Sequence, residues 1–81
     1  EEVEFEIASD IVDRLFDTFG DEIRFEDKGD GKLRFKAEVQ ISPTFLVWCL
    51  SFGDKLKVIA PEKVKERLSS YTEQLYNLYK D

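Results

Sequence analysis

The order of strand-like and helix-like segments predicts an α+β domain with a ferredoxin-like arrangement. Four short runs alternate apolar and polar residues, three segments carry helix signals, and they follow one another as β-α-β-β-α-β plus a C-terminal helix. We therefore expect a four-stranded antiparallel sheet with both crossover helices on one face. The 81 residues, 42% of them hydrophobic, suffice for one core, so residues 1–81 are expected to form a single domain.

The first strand and helix are defined by a change of period. Residues 2–7 alternate strictly, which places Val3, Phe5 and Ile7 on one side of a strand. Ser9 or Asp10 can cap the helix that follows, and Gly20 ends it. Its apolar positions form one stripe, made of Ile11, Val12, Leu15, Phe16 and Phe19.

The next two strands, residues 23–27 and 33–41, are joined by a glycine-rich turn. A three-residue loop, residues 29–31, would pair Phe25 with Phe35 and keep the apolar side chains on one face. A two-residue Asp-Gly turn would instead place Phe25 opposite Lys36. The longer loop is therefore predicted, with Gly31 at positive φ.

The second helix begins at Ser42 followed by Pro43, a cap and a first-turn proline, and is expected to close at Gly53. Residues 55–60 form a fourth strand. Pro61 then opens a last helix that runs to about Tyr79. Its apolar residues recur at spacings of four and three, which is typical of a helix that packs along a narrow seam: Val64, Leu68, Tyr71, Leu75 and Leu78.

The second helix is apolar almost all the way round. One side, with Trp48 and Cys49, is assigned to the sheet, which leaves a second apolar side without a partner. Either the C-terminal helix covers this side, or it meets another domain or a second copy of the chain, and a swapped C-terminal helix would do both. The predicted interface residues are Leu46, Val47, Leu50, Leu75, Tyr76 and Tyr79.

Composition argues against several functions. The chain has no histidine, which removes most nucleophile pairs and zinc sites, so we expect no enzyme activity, cofactor or metal. The outward strand positions are charged, whereas RNA-binding sheets of this architecture expose aromatic residues. A net charge of −6 disfavours nucleic acid and anionic membranes. No run is long enough to span a membrane, and a single cysteine fits a reducing cytoplasm.

Two stretches carry a family resemblance: DKGDGKLRFKAEV, and LVWCLSFGDKLKVIAPEKVKERL with a terminal tyrosine. They resemble the C-terminal extension (WCX-type) of WYL-domain transcriptional regulators of bacteria. The matching features are Asp30-Gly31, Trp48, Phe52-Gly53, Pro61 and Tyr79. The resemblance implies a parent protein with an N-terminal helix-turn-helix domain that binds DNA and a central WYL domain that senses a ligand. Neither domain is in this sequence, which we interpret as a C-terminal piece of a larger regulator.

Two functional hypotheses follow. The first is a non-catalytic regulatory and oligomerisation domain that couples ligand sensing to DNA binding, with a second copy and the WYL domain of its own chain as partners. DNA would be contacted only by the missing N-terminal domain. The alternative is a small-molecule sensor that holds a metabolite at a dimer seam. Both place the protein in the cytoplasm.

Overall fold

The computed structural model describes residues 1–20 and 23–80, and the chain in these ranges is an α+β structure with one four-stranded antiparallel sheet. The main elements are β1 (Glu2–Ala8), α1 (Val12–Phe19), β2 (Glu26–Gly29), β3 (Lys32–Glu38), α2 (Pro43–Leu50), β4 (Leu56–Ala60) and α3 (Glu62–Tyr79). Short 3-10 helices at Ser9–Ile11 and Gly53–Lys55 precede α1 and β4. The predicted α+β class, the four-stranded antiparallel sheet and the additional C-terminal helix are confirmed.

The strands lie in the order β2-β3-β1-β4. The strand β1 lies between β3 and β4, with Phe5 opposite Phe35 on one side and Val58 on the other. Glu1 and Val39 exchange two backbone hydrogen bonds of 2.8 and 2.9 Å, which extend the β1–β3 ladder by one pair. The strand β3 ends at Glu38, so it is shorter at this end than the predicted 33–41.

The β2–β3 hairpin has the predicted register but a different turn. Asp27 lies opposite Leu33, and Gly29 lies opposite Lys32, so the turn is the two-residue Asp30-Gly31. A bulge between Asp27 and Gly29 takes up the extra residue and preserves the register. Asp30 and Gly31 have φ values of 55° and 74°, the positive values that a tight type I′ hairpin turn requires. The positive φ predicted for Gly31 is confirmed, and the three-residue loop is corrected.

The second strand begins later than predicted. Residues 23–25 lie outside β2, which starts at Glu26, so the predicted backbone pairs of Phe25 and Ile23 are not part of the sheet. The Phe25 ring still contacts the Phe35 ring edge-on, with centroids 5.3 Å apart. Alternation in the sequence therefore identified the side on which Phe25 packs, but it does not determine where the backbone pairing begins.

The helix ends show one confirmed cap and two corrections. The Ser42 side chain accepts a hydrogen bond of 3.2 Å from the Phe45 amide, as predicted for α2. No side chain caps α1, because Asp10 instead accepts a hydrogen bond from Lys55. The α2 helix ends at Leu50, three residues before the predicted Gly53, which has a φ of 64° and opens the 3-10 turn into β4.

The core lies between the sheet and the helices. Phe5, which is fully buried, stacks on Phe35 at 4.9 Å between ring centroids and meets the edge of Phe45 from α2 at 6.2 Å. Phe19 from α1 contacts the same Phe35 at 5.9 Å. Both helices therefore pack on the side of the sheet that carries Phe5. None of the helices in the described ranges has the length and apolar composition that crossing a membrane requires.

Candidate interaction surface

The surface of interest is formed by the second half of α3, and the first half fixes its position. Val64 is buried against the core, with 1% of its surface exposed, and Leu68 and Tyr71 pack partly buried beside it. These three residues follow the predicted seam, so this part of the helix is anchored to the domain as its spacing indicates.

The helix is longer than the strand it follows. Its 18 residues span about 27 Å, whereas the five residues of β4 span about 17 Å. The described chain is correspondingly elongated, with extents of 41 × 26 × 22 Å. Tyr71 is the last α3 side chain that packs against the core, and we call the two turns that follow, residues 72–79, the α3 overhang.

The α3 overhang exposes large apolar side chains. Leu75 is half-buried, and Tyr76, Leu78 and Tyr79 are 66%, 69% and 83% exposed. Among the described residues, the other exposed large hydrophobic side chains are Phe16 and Val47. Three of the five exposed large hydrophobic side chains in the described ranges therefore lie at one end of one helix, which is the pattern of an interaction site rather than of isolated surface residues.

The overhang is also nearly free of charge. Five of the six residues 62–67 are charged, but among residues 68–79 only Glu73 is. The remaining positions are serine, threonine, tyrosine, glutamine, asparagine and leucine. Protein–protein interfaces are depleted in charge at their centre and enriched in tyrosine. The composition of the overhang therefore matches an interface, whereas that of the preceding turns matches a solvated helix face.

Five of the six predicted interface residues are exposed or half-buried. Tyr76 and Tyr79 are exposed on the overhang, and Leu75 lies half-buried at its start. On α2, Val47 is 53% exposed and Leu50 is half-buried. These residues are placed where a partner could reach them, and their role stays a prediction.

Leu46 differs from the other five, because it is only 6% exposed and belongs to the core. It lies at a groove of about 240 Å³ between α2 and α3, whose remaining lining residues are Arg67, Ser70, Tyr71 and Gln74. The C-terminal helix thus covers part of the second apolar side of α2, the side with Leu46. It leaves Val47 on that same side open.

Sequence reasoning placed Leu78 in the seam but did not name it as an interface residue. Its spacing, three residues after Leu75, assigned it to the side that faces the core. Leu78 lies beyond Tyr71, the last α3 side chain that packs against the core, so the same side of the helix is exposed at this position. The signal that could have found it is length: the helical pattern is more than twice as long as the strand pattern before it.

The open face of the sheet is charged, and acidic side chains of β1 lie opposite basic side chains of β3. Glu6 of β1 accepts a hydrogen bond from Nε of Arg34 at 3.0 Å, and Glu4 lies opposite Lys36. The hydrogen bond from Arg34 lowers the pKa of the Glu6 carboxyl below its ordinary value of 4.5. Phe5 and Phe35 are buried on the other side, as predicted. The described part of this face is therefore largely charged, and Glu6 and Arg34 form an ion pair across β1 and β3.

The cysteine lies within the core. Cys49 is 3% exposed, and burial raises the pKa of its thiol to about 12. The thiolate is the reactive form of cysteine, so this residue is inert at neutral pH. Within the described ranges, histidine, cysteine, aspartate and glutamate side chains do not gather in groups of three or more that could hold a metal ion.

Comparisons with known proteins identify the family. The family model of the WCX domain matches residues 1–76, which includes the sheet, α1, α2 and most of α3. The comparisons with curated proteins and with solved structures gave no significant match. Because the match covers nearly the whole chain, the chain belongs to the WCX domain family.

Proposed function

We propose that this chain is a non-catalytic regulatory and oligomerisation domain of a WYL-type helix-turn-helix transcriptional regulator. Family membership supports a regulatory role, since WCX domains are C-terminal extensions of such regulators. The α3 overhang supports an action through protein contacts, because it presents Tyr76, Leu78 and Tyr79 on a segment with a single charge. The overhang is the observation that carries the proposal.

We further infer that the domain has a ferredoxin-like arrangement. The element order β1-α1-β2-β3-α2-β4 and the strand order β2-β3-β1-β4 support this assignment. The contacts of α1 and α2 with the same phenylalanine row of the sheet support it as well. In this arrangement α3 follows the edge strand β4 and is anchored to the core by Val64, Leu68 and Tyr71.

In the parent regulator, the partners would be a second copy of the domain and the WYL domain of the same chain. The WCX domain would transmit the state of the ligand-sensing WYL domain to the DNA-binding domain, and only that N-terminal domain would touch DNA. Its net charge of −6 agrees with the absence of a DNA-binding role for this part. The compartment would be the cytoplasm.

Sedimentation of the 81-residue chain over a concentration series tests the oligomerisation role. We expect a reversible monomer–dimer equilibrium, because the exposed apolar area is concentrated at one site. A chain that stays monomeric up to millimolar concentration would contradict the proposal that the domain itself drives association.

A second candidate function, the sensing of a small molecule, is supported by one cleft. A cavity of about 350 Å³ lies where α1 ends and α2 begins, with an aromatic wall made of Phe19, Phe45 and Trp48. Its volume is within the range of ligand sites. A bound metabolite would raise the melting temperature as its free concentration exceeds the dissociation constant, because the stabilisation grows with the logarithm of 1 + [L]/Kd, and it would change the fluorescence of Trp48, the single tryptophan. A metabolite screen without such a response would leave the interaction role as the better account.

A further inference from the structure

We infer that the cleft between the end of α1 and the start of α2 binds a small organic cation with a flat apolar body, of the class of the aromatic amines. This inference rests on the second candidate function, the sensing of a small molecule, and names the class of ligand that the same site would take. The cleft has a volume of about 350 Å³ and a wall made of Phe19, Phe45 and Trp48. We call it the aromatic cleft.

The wall of the aromatic cleft is held in place by ring contacts. The Trp48 ring packs edge-on against Phe19 at 5.4 Å and against Phe52 at 5.0 Å between ring centroids. It also stacks on Phe45 at 6.2 Å. Phe45 is buried, whereas Trp48 and Phe19 are half-buried, so part of each of these two side chains stays accessible. A wall that is fixed before binding loses little conformational freedom on binding, which favours a flat ligand.

The charged and dipolar groups of the aromatic cleft favour a positive ligand. Of the described residues that line it, Glu38 alone is charged, and its side chain is 77% exposed. The last turn of α1 also lines the cleft with Thr18 and Phe19, and this turn contains no basic residue. The carbonyl groups at a helix C-terminus carry partial negative charge and attract cations. The carboxylate and the end of α1 therefore act in the same direction.

An anion is disfavoured at the same place. A helix N-terminus binds anions through free N–H groups, and α2 begins beside the cleft. However, Pro43 has no N–H, and the Phe45 amide already donates to the Ser42 side chain at 3.2 Å. The net charge of −6 adds a long-range repulsion of anions. A phosphate or a carboxylate would therefore find little to hold it here.

The ring cluster that forms this wall already holds one cation elsewhere. The guanidinium of Arg14 lies 4.4 Å from the centre of the Phe52 ring, and Phe52 in turn contacts Trp48. Aromatic faces attract cations within about 6 Å. Arg14 is not among the residues that line the aromatic cleft, so it does not occupy the place of a ligand.

One cation of the chain competes for Glu38. The amino group of Glu1 lies 3.4 Å from a carboxylate oxygen of Glu38 and donates to the Val39 carbonyl at 2.9 Å. A carboxylate accepts several hydrogen bonds, so Glu38 can engage the ammonium group of a ligand as well. Acetylation of the Glu1 amino group removes the competing charge and should tighten the binding of a cation about twofold.

Three small probes that share a phenyl ring test the ligand class. Phenethylamine is a cation at neutral pH, phenethyl alcohol is neutral, and phenylacetate is an anion. Each is titrated into the 81-residue chain, and the fluorescence of Trp48, the single tryptophan, gives the dissociation constant. We expect phenethylamine to bind about fivefold more tightly than phenethyl alcohol, and phenylacetate to bind least.

A charge-removing substitution with a matched control locates the effect. Glu38→Gln keeps the size of the side chain and should weaken phenethylamine binding about threefold, whereas phenethyl alcohol binding should not change. Glu66→Gln alters the net charge by the same amount outside the aromatic cleft, and it should leave the binding of all three probes unchanged. Both glutamates are exposed, so neither change should unfold the domain, which circular dichroism verifies.

The outcomes separate the inference from the function on which it rests. Phenethyl alcohol or phenylacetate that binds as tightly as phenethylamine, or an equal loss in Glu38→Gln and Glu66→Gln, would overturn the cationic class and leave a small-molecule site at the cleft. Trp48 fluorescence that responds to none of the probes would overturn the inference, and the sensing function would then stand only on a response in the metabolite screen. A preference for phenethylamine that Glu38→Gln reduces and Glu66→Gln preserves is the result expected.

Discussion

The open face of the sheet and the α3 overhang are both exposed, but the first carries charged side chains and the second carries apolar ones. On the sheet, Glu6 and Arg34 are joined by a hydrogen bond, and Glu4 faces Lys36 across the strands. On the overhang, the apolar side chains of Leu78 and Tyr79 are largely exposed and do not pack against the core. Exposure alone therefore does not mark an interface. A surface marks one when it exposes apolar area that the chain's own architecture does not cover.

The largest expected effect is on the free energy of unfolding, which should depend on the anchored half of α3 and hardly at all on the overhang. Val64→Ala removes buried methyl groups and should lower the free energy of unfolding by about 2 to 3 kcal/mol. Leu78→Ala should lower it by less than about 0.5 kcal/mol in the monomer, because that side chain is largely exposed. Urea unfolding at low protein concentration measures both. Equal losses would mean that the overhang is part of the core.

The response of the dimer to salt distinguishes the two surfaces. A dimer formed through the uncharged overhang should become tighter by a factor of about two between 50 and 500 mM NaCl, because salt screens the repulsion of two chains of charge −6. A dimer formed through ion pairs of the open face should weaken over the same range. Sedimentation at each salt concentration gives the dissociation constant, and a marked weakening would assign the interface to the sheet.

The smallest expected effect concerns the open face. Since the hydrogen bond from Arg34 lowers the pKa of Glu6 in the folded state below 4.5, the pair stabilises the fold above that pH. This contribution is lost as the pH falls through the lowered pKa. The difference in unfolding free energy between the unmodified chain and Glu6→Gln should therefore be present at pH 7 and shrink below pH 4.5.

Glu66→Gln is the control for that measurement, because Glu66 is exposed on α3 and forms no ion pair within the described ranges. It should leave the pH dependence unchanged. A Glu6→Gln chain that follows the unmodified chain at every pH would show that the hydrogen bond with Arg34 does not contribute in solution.

The sequence predicted the fold well where period and turn chemistry act locally. The alternation around Phe5 and Phe35 determined the buried face, and Ser42 followed by Pro43 determined the start of α2. The errors arise where one element depends on another. Asp10 is not a cap because Lys55, 45 residues away, engages its carboxylate, and the hairpin turn is shorter because a bulge compensates.

The candidate site was predicted only in part, again because the exposure of some residues depends on how separate elements pack together. Tyr76 and Tyr79 fall outside the seam, so their exposure could be inferred from spacing alone. The burial of Leu46 beside Tyr71 and the exposure of Leu78 depend on where α3 lies. The position of α3 relative to the core is set by tertiary packing, which cannot be read from the periodicity of the helix sequence.

Hydrogen exchange along α3 at two protein concentrations tests the central claim most directly. The account predicts that the amides of residues 62–71 are equally protected at low and high concentration, whereas those of residues 75–79 gain protection as the concentration rises through the dimer's dissociation constant. Protection of residues 75–79 that is independent of concentration, or a concentration-dependent gain confined to β3 or α2, would contradict it.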